Sequence, residues 1–503
     1  MKKKTPYQGP GVNLRKSAFS AGRWTSASLI LRAALQLGQT LLLARLLTPS
    51  DFGLMAIVMA TYGVLSLLID LGLSNALIHF PDPSRKVASS LFWLNLGGSI
   101  SMMAVVMVSA WPMSQIYDEP SVLPAMITLS IAMPLNALGQ QFRVIAEKEL
   151  KFQRLAAIEV AAGVCGFVVA VTTAALDGGV YSLIAAILAS SAISSALSWT
   201  FLSNGLRPYF HFELSDVKKH LAFGSYRLGD TLLISVQMQA DVLIGASLTG
   251  STAMGIYTVP RDLTLRLANT LVNPIVTRVG LPVMAKMQSD KSALKSIYLK
   301  TMRMTSSINF PIYSALMLWP QEIVAIALGP QWEESASFMR IFAGWALLRS
   351  TANPVGSLLN ATGRVRLAFW WDLALLFATP PLLYAGHQLG SLHGLAMTMI
   401  GIQLLTFYPH YRVLVAPACG ATFREYVNSL LPACVSTAFA VGTGLAIQWA
   451  VDGPSWLLLA LGLSVGGCVY LLSSIIFNRE WISAMAELIA PLMQPVRSRL
   501  TAK

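Results

Sequence analysis

The stretch L-A-R-L-L-T-P-S-D-F-G-L-M-A-I-V-M-A (residues 43–60) ends one long apolar run with a polar turn and begins another. This alternation continues along the chain, and each apolar run is about 20 residues long, the length that a helix needs to cross a ~30 Å hydrocarbon core. It predicts an all-α polytopic membrane protein with fourteen transmembrane helices. The predicted spans are 23–46, 52–78, 89–113, 121–142, 155–176, 180–202, 221–246, 253–280, 301–319, 335–361, 367–386, 393–411, 426–450 and 455–477.

Positive charge marks every second connection between these spans. Lysine and arginine are retained in cytoplasmic loops, whereas the intervening connections carry almost none and hold acidic residues such as Asp118 and Glu333. An even number of spans with both termini in the cytoplasm is the arrangement that fits. The basic positions are Lys2, Lys3, Lys4, Arg15, Lys16, Arg85, Lys86, Arg143, Lys148, Lys151, Arg154, Arg207, Lys218, Lys219, Lys286, Lys291, Lys295, Lys300, Arg364, Arg366, Arg412, Arg424, Arg479, Arg497, Arg499 and Lys503.

The composition supports the same class. The chain has 503 residues, of which 55% are hydrophobic and 12% charged, about half the charged fraction of a soluble domain. We attribute the net charge of +13 to the topology signal and to attraction by anionic lipid headgroups, and expect no nucleic-acid partner. The basic N-terminus lacks a short apolar core with a cleavage site, so we expect the first span to be a retained signal anchor. Four scattered cysteines predict neither a disulfide framework nor a metal site.

Two parts of the chain resemble each other with a period of roughly 200 residues, or six spans. Residues 43–54 and 244–256 both contain a Leu-Thr turn followed by a glycine that opens the next helix. Because six is even, the copies have the same polarity, and substrate sites of parallel repeats lie at their interface. We predict an N-lobe and a C-lobe around a central cavity. The predicted segments are a cytoplasmic tail 1–22, N-lobe 23–202, cytoplasmic amphipathic linker 203–220, C-lobe 221–411, two additional spans in 412–477 and a cytoplasmic tail 478–503.

Polar side chains form stripes along several predicted spans. A charge at mid-depth costs about 2.5–3.5 kcal/mol on insertion scales, so each needs a partner or a water-filled cavity. We predict that these stripes line the cavity and bind the substrate. The candidate cavity residues are Arg32, Gln36, Gln39, Arg227, Asp230, Gln237, Asp241, Arg261, Arg266, Trp345, Arg349 and Asn353.

Some of these charges have simpler explanations. Arg227 with Asp230, and Asp262 with Arg266, have the spacing of structural ion pairs within a helix. Arg143 and Arg303 lie near span ends, where we expect them to reach the interface. Single acids, including Glu159, are interpreted as groups that cap a helix or pair between helices. No acid lies within a helical turn of Arg32 or Arg349, which makes them the best candidates for an anionic substrate.

The chemistry of these stripes suits a ligand with phosphate and hydroxyl groups. Arginine binds phosphate oxygens in a bidentate manner, and glutamine, asparagine and tryptophan suit sugar hydroxyls and ring faces. A greasy cationic drug would instead require carboxylates without arginines.

Several blocks resemble the Wzx-type polysaccharide flippases of the multidrug/oligosaccharidyl-lipid/polysaccharide exporter superfamily, most closely the colanic-acid/xanthan-type branch. A-R-L-L-T-P-S-D-F-G-L (44–54), D-L-G-L-S-N-A-L-I (70–78) and L-F-W-L-N-L (91–96) carry the resemblance first. It continues in L-K-F-Q-R-L-A-A-I-E (150–159), D-V-L-I-G-A-S-L-T-G-S-T-A-M-G-I-Y (241–257), L-P-V-M-A-K-M-Q-S-D (281–290) and G-P-Q-W-E-E-S-A (329–336). One departure is Ala246, where the family usually has a basic residue.

The resemblance implies a transporter of the bacterial cytoplasmic (inner) membrane. Its substrate would be an undecaprenyl-pyrophosphate-linked oligosaccharide repeat unit, moved to the periplasmic leaflet for exopolysaccharide or capsule biosynthesis by alternating access. Membrane lipids and the polymerase and export machinery of the same pathway would be its partners. No cofactor is implied beyond coupling to H⁺ or Na⁺, for which Asp230, Asp241 and Asp262 are the candidates.

Two other interpretations stay open. The first is a related exporter with another cargo, namely a peptidoglycan lipid precursor, teichuronic acid, or a drug or cation in an antiporter. The second is a membrane-embedded glycan polymerase or ligase, which would need a large periplasmic loop with catalytic residues. The longest outward connection, 320–334, has no histidine or arginine, so an enzyme is disfavoured.

Overall fold

The computed structural model describes residues 31–70, 77, 84–203, 208–271 and 280–487, and the described part is helical with short connections. A helix lies within each of the fourteen predicted spans. The helices are α1 (31–46), α2 (Pro49–Asp70), α3 (Arg85–Ile116), α4 (Val122–Ser130), α5 (Ala132–Lys148), α6 (Phe152–Ala174), α7 (Val180–Phe201), α8 (Leu214–Thr249), α9 (Ser251–Leu271), α10 (Leu281–Lys286), α11 (Lys291–Leu318), α12 (Pro320–Ala327), α13 (Ser335–Ser350), α14 (Asn353–Ala361), α15 (Val365–His410), α16 (Ala416–Cys419), α17 (Phe423–Ala450), α18 (Ser455–Phe477) and α19 (479–487).

The apolar helices make this a multi-pass membrane protein. Within the described ranges, nine helical segments are long and apolar enough to cross a membrane, or ten if α11 and α12, which are bent by 81°, form one span. One of the nine, Val365–Cys419, contains two of the spans predicted from the sequence. Helices satisfy their backbone hydrogen bonds internally, which the hydrocarbon core requires.

The chain divides into two compact units, Met1–Gly255 and Ile256–Lys503. In the first unit, close approach between helices depends on small residues. A Cβ atom on Gly166 of α6 would lie 2.8 Å from the Ala186 carbonyl oxygen of α7. A Cβ on Gly139 of α5 would lie 2.7 Å from the Cα of Ser195. Backbone packing of this kind is what holds helices together in lipid, where the hydrophobic effect does not drive their association.

The Leu-Thr turn at 47–48 is a capping motif. Thr48 is the residue before α2, and its backbone N–H and hydroxyl donate to the Asp51 carboxylate at 2.9 and 2.7 Å. The Asp51 backbone N–H donates in return to the Thr48 hydroxyl at 3.3 Å. This reciprocal pair satisfies free donors at the helix start, and the acidic side chain lies at the positive end of the helix dipole.

The two similar turns contact each other within the first unit. Ser50 and Ser251 occupy equivalent positions after the Leu-Thr pairs, and their hydroxyl oxygens are 3.2 Å apart. Ser251 donates its proton to the Glu119 carboxylate at 2.8 Å, so Ser50 is the donor to Ser251. The two glycines that follow pack backbone to backbone: a Cβ on Gly53 would lie 1.7 Å from the Ser251 carbonyl oxygen, and one on Gly255 1.8 Å from that of Pro49.

Within the predicted linker 203–220, residues 209–213 form a segment that packs on α3. The Trp93 indole donates to the Tyr209 carbonyl at 2.9 Å, and the Tyr209 and Glu213 N–H groups donate to Ser89 and Ser90 hydroxyls at 3.3 and 3.2 Å. From Leu214 the chain is already helical. Because α8 has 36 residues, far more than the ~20 that cross a membrane, the end of this segment continues into the predicted seventh span.

In the second unit, α15 contains the predicted spans 367–386 and 393–411. Gly390 and Ser391 have non-helical backbone angles, with φ of +52° at Ser391, so the chain reverses there. Two glycines allow the halves to approach, because a Cβ on Gly394 would lie 2.0 Å from the Gly386 carbonyl oxygen.

The C-terminal helix α19, in the predicted tail 478–503, is attached to α11 by polar contacts. Arg303 forms an ion pair with Glu480, and the Asn478 amide donates to the Ser307 hydroxyl at 2.7 Å. Asn478 is 1% exposed, so this hydrogen bond is shielded from water. Arg303, predicted to reach the interface, is therefore half-buried and pairs with an exposed glutamate.

Replacing Gly53 by alanine should destabilise the protein, because the added methyl group overlaps the Ser251 backbone. Overpacking of this kind costs about 1–3 kcal/mol. We expect a lower thermal unfolding midpoint in detergent by several degrees. Gly63→Ala on the same helix is the control, since a Cβ there meets no atom within 4 Å among the described residues. Equal midpoints for the two variants would contradict the backbone contact.

Candidate functional site

The polar stripe of α1 is largely exposed. Arg32 and Gln36 are one helical turn apart and both are exposed, and Gln39 is half-buried. The Arg32 side chain is 51% exposed although it belongs to a predominantly apolar helix. Lipid cannot solvate a guanidinium group, so this face requires a water-filled space or a polar neighbour.

Arg32 has a partner that its own helix does not supply. Its Nη1 atom donates to Oε2 of Glu159 on α6 at 2.9 Å, and the glutamate side chain is 36% exposed. The two residues are 127 positions apart, so helical spacing gives no indication of this pair. Glu159, predicted to cap a helix or to pair between helices, does pair between helices, but the sequence did not indicate that its partner is Arg32 or that it belongs to the candidate site.

A second arginine of the first unit is held by neutral groups. Arg143 is half-buried and donates through Nη1 to the Ser194 hydroxyl at 3.2 Å and through Nη2 to the Asn136 carbonyl at 3.1 Å. The expectation that it extends to the interface is wrong, because the side chain runs back along its own helix toward Asn136. The Glu159 carboxylate also acts on it electrostatically.

The candidates on α8 differ in accessibility. Asp241 is 1% exposed and Gln237 is half-buried. The side chains of Arg227 and Asp230 lie outside the described residues, so their predicted pairing stays a prediction. A carboxylate as deeply buried as Asp241 can bind a substrate only after a change in the packing around it.

In the second unit, the pairing predicted between Asp262 and Arg266 is wrong. Asp262 accepts a hydrogen bond from Nη1 of Arg261 at 3.0 Å, and the arginine side chain is 5% exposed whereas the aspartate is 50% exposed. Arg266 keeps a buried Nη1 atom with no hydrogen-bond partner within residues 280–487 or the described part of α9. Asp262 therefore pairs with the arginine directly before it in the sequence and not with the one four residues later.

Trp345 and Arg349 form a cation–π contact on α13. The guanidinium carbon lies 5.3 Å from the indole centroid, and the two residues are one turn apart. Trp345 is only 3% exposed, so its ring offers no free face to a sugar. Its contact with the guanidinium positions Arg349. Asn353, at the start of α14, is half-buried.

Comparison with known proteins shows to which family the chain belongs. The family described as polysaccharide biosynthesis protein matches residues 42–337, which is more than half of the chain. The chain belongs to this family. The matched range includes α2 to α12 and the two Leu-Thr turns, and so begins with the motif that caps α2.

Named relatives cover most of the chain. It is 28% identical over 419 residues to the lipopolysaccharide biosynthesis protein WzxC of Escherichia coli, covering 83% of this chain and 85% of that protein. It is 26% identical over 464 residues to the teichuronic acid biosynthesis protein TuaB of Bacillus subtilis, covering 91% and 95%.

A solved structure shares the fold. The lipid II flippase MurJ in an inward closed conformation superposes with a TM-score of 0.73 at 11% sequence identity, covering 92% of this chain and all of that one. At this identity the similarity establishes the fold, a helical membrane fold, and not the ligand.

The contact between Trp345 and Arg349 predicts how α13 tolerates substitution. Trp345→Leu removes the ring that orients the guanidinium, and cation–π contacts are worth about 0.5–2 kcal/mol. Since an order of magnitude corresponds to about 1.4 kcal/mol, we expect polymer output in a complementation assay to fall by roughly two- to thirtyfold. Trp345→Phe keeps an aromatic face and is expected to retain most of the output. Equal losses in the two variants would show that the volume of the side chain matters, not its ring.

Proposed function

We propose that this protein is a flippase for undecaprenyl-pyrophosphate-linked oligosaccharide repeat units, which it moves from the cytoplasmic to the periplasmic leaflet for exopolysaccharide or capsule biosynthesis. In this proposal the chain spans the bacterial cytoplasmic membrane fourteen times, has both termini in the cytoplasm and works by alternating access. It carries its substrate without catalysing a reaction on it.

The observation that carries the proposal is the exposed guanidinium group of Arg32 on an apolar helix. A charge at this position needs a polar partner or water, and the single contact with Glu159 leaves half of the Arg32 side chain uncovered. A guanidinium presents a planar fork of N–H donors that matches the oxygens of a phosphate group. Gln36 on the next turn adds a donor and an acceptor of the kind that bind sugar hydroxyls.

Family membership supports the glycan part of the proposal. The chain belongs to a polysaccharide biosynthesis family, and its relatives are named for lipopolysaccharide and teichuronic acid biosynthesis. The similar fold of MurJ is that of a protein named as a lipid II flippase. These glycan-containing cargoes differ in their sugars, so the diphosphate carrier is the part of the ligand that the arginines best explain.

The proposed mechanism separates two tasks. Arginine side chains bind the diphosphate, which carries the charge that a bilayer does not admit, and neutral amides accept and donate hydrogen bonds to the glycan. The lipid tail stays in the hydrocarbon phase throughout. Water in the cavity solvates the polar head while the protein changes conformation, so the head never contacts acyl chains.

Arginine substitutions test the proposal directly. Arg32→Ala and Arg349→Ala each remove hydrogen bonds to a charged group, worth about 1.5–3 kcal/mol, or roughly ten- to a hundredfold in transport. We expect polymer export to fall by that factor in a deletion strain that carries the variant, while membrane abundance measured by immunoblot stays unchanged. Lipid-linked repeat units should accumulate inside the cell.

Arg303→Ala is the matched control, because it removes an arginine whose partner Glu480 is 58% exposed. Exposed ion pairs contribute about 0–1 kcal/mol, so export should be nearly normal. Normal polymer output from the Arg32/Arg349 double variant would refute the cavity assignment.

We also propose that an H⁺ or Na⁺ gradient drives the cycle through Asp230, Asp241 or Asp262. Asp241 and Asp262 differ in exposure, and the deeply buried Asp241 is better placed to gain or lose an ion as packing changes. Asp241→Asn should abolish the response of export to dissipation of the gradient, with Asp452→Asn in an exposed connection as the control. Persistence of that response in Asp241→Asn would exclude Asp241 as the coupling residue.

A further inference from the structure

The ion pair between Arg32 and Glu159 differs from a structural salt bridge in its accessibility. One guanidinium nitrogen contacts one carboxylate oxygen at 2.9 Å, and both side chains are more than one-third exposed. Among residues 31–70, 84–203 and 208–271, Glu159 accepts no other hydrogen bond from a side chain. The carboxylate therefore has unused acceptor positions, and Arg32 has unused donors.

The position of the pair makes it accessible from the cytoplasmic leaflet. Glu159 lies seven residues after the start of α6, which follows the basic connection that contains Lys148 and Lys151. Basic connections are cytoplasmic, so Glu159 is about 10 Å from that end of its helix at 1.5 Å per residue. Neither side chain can face lipid at this depth without a large cost, so water reaches the pair.

Two arginines act on this one carboxylate. Arg143 is held by Ser194 and Asn136 and stays in place whatever happens to Glu159. Arg32 has Glu159 as its only ion-pair partner in the described part of the chain. If the carboxylate moved away, two positive charges would remain, one fixed and one free to bind an anion.

We propose that Glu159 is a positioning residue, an internal counter-ion that occupies Arg32 until a diphosphate displaces it. This inference rests on the proposed function and deepens it. A carboxylate oxygen and a phosphate oxygen compete for the same guanidinium donors, but a diphosphate carries more charge and more oxygens. Every anion that binds Arg32 must first displace the carboxylate, so the pair lowers the affinity for all of them, and a ligand with many oxygens is best able to offset this cost.

The test measures binding of inorganic pyrophosphate and of inorganic phosphate to the full-length protein in nanodiscs, by isothermal titration calorimetry. Glu159→Gln keeps the shape of the side chain and removes the competing charge. We expect pyrophosphate affinity to rise roughly tenfold, about the effect of one charge-assisted hydrogen bond, and phosphate affinity to rise by a similar factor, because both anions displace the same carboxylate. Glu159→Asp keeps a carboxylate and should restore the wild-type affinities.

Arg32→Ala should abolish the gain that Glu159→Gln produces, because the released guanidinium is the group that binds. Unchanged or weaker pyrophosphate binding by a folded Glu159→Gln variant would overturn the proposal. If Glu159→Gln and Glu159→Ala both lose their thermal unfolding transition while Glu159→Asp keeps it, the ion pair is required for folding. That result also overturns the proposal that an anion replaces Glu159 as the partner of Arg32.

Export in cells separates this inference from the proposed function. If the wild type exports repeat units but Glu159→Gln does not change pyrophosphate binding, only the counter-ion proposal is refuted. The reverse result, a clear effect on pyrophosphate binding without export of repeat units, refutes the flippase assignment and leaves the anion site in place.

Discussion

A hydrocarbon phase solvates neither a charge nor a free backbone amide, and this constraint determines what each part of the chain can be. It requires helices, because only they satisfy backbone groups within a single segment, and it makes every intramembrane arginine costly. An arginine that is retained must therefore be wedged against other helices or face water. Arg143 is an example of the first solution, since Ser194 and Asn136 occupy its donors. Arg32 has a partner on another helix, Glu159, and still leaves half of its side chain exposed.

The same constraint explains the abundance of small residues at helix contacts. Helices in lipid gain little from burying apolar side chains, so close backbone packing and polar contacts hold them together. Gly53 and Gly255 bring two helix starts into backbone contact, and the chain of hydroxyls from Ser50 through Ser251 to Glu119 adds hydrogen bonds at that point. Thr48 and Asp51 fix where α2 begins, so the capping motif also sets the position of the glycine contact.

The candidate arginines of each unit are held in different ways. In the first unit, hydrogen bonds to neutral groups hold Arg143, whereas the partner of Arg32 is another exposed charge. In the second unit, the Trp345 ring contacts Arg349. In an anion site, charges fixed in this way create the electrostatic potential that attracts the ligand. If every arginine were fully hydrogen-bonded within the protein, no guanidinium donor would remain for a ligand.

The sequence by itself determined the helical membrane class, the position of a helix in each of fourteen segments and the resemblance to polysaccharide flippases. These properties are encoded in local signals, namely apolar run length, charge between runs and short motifs such as Leu-Thr-Pro-Ser-Asp. The sequence also drew attention to Arg32 and Arg349, because a charge in an apolar run is visible without a structure. Only the tertiary structure decided how the charges pair. Glu159 reaches Arg32 across 127 residues, because packing between helices, which no spacing within one helix encodes, brings these side chains together. Asp262 pairs with the adjacent Arg261, although the four-residue spacing to Arg266 also allowed a pair.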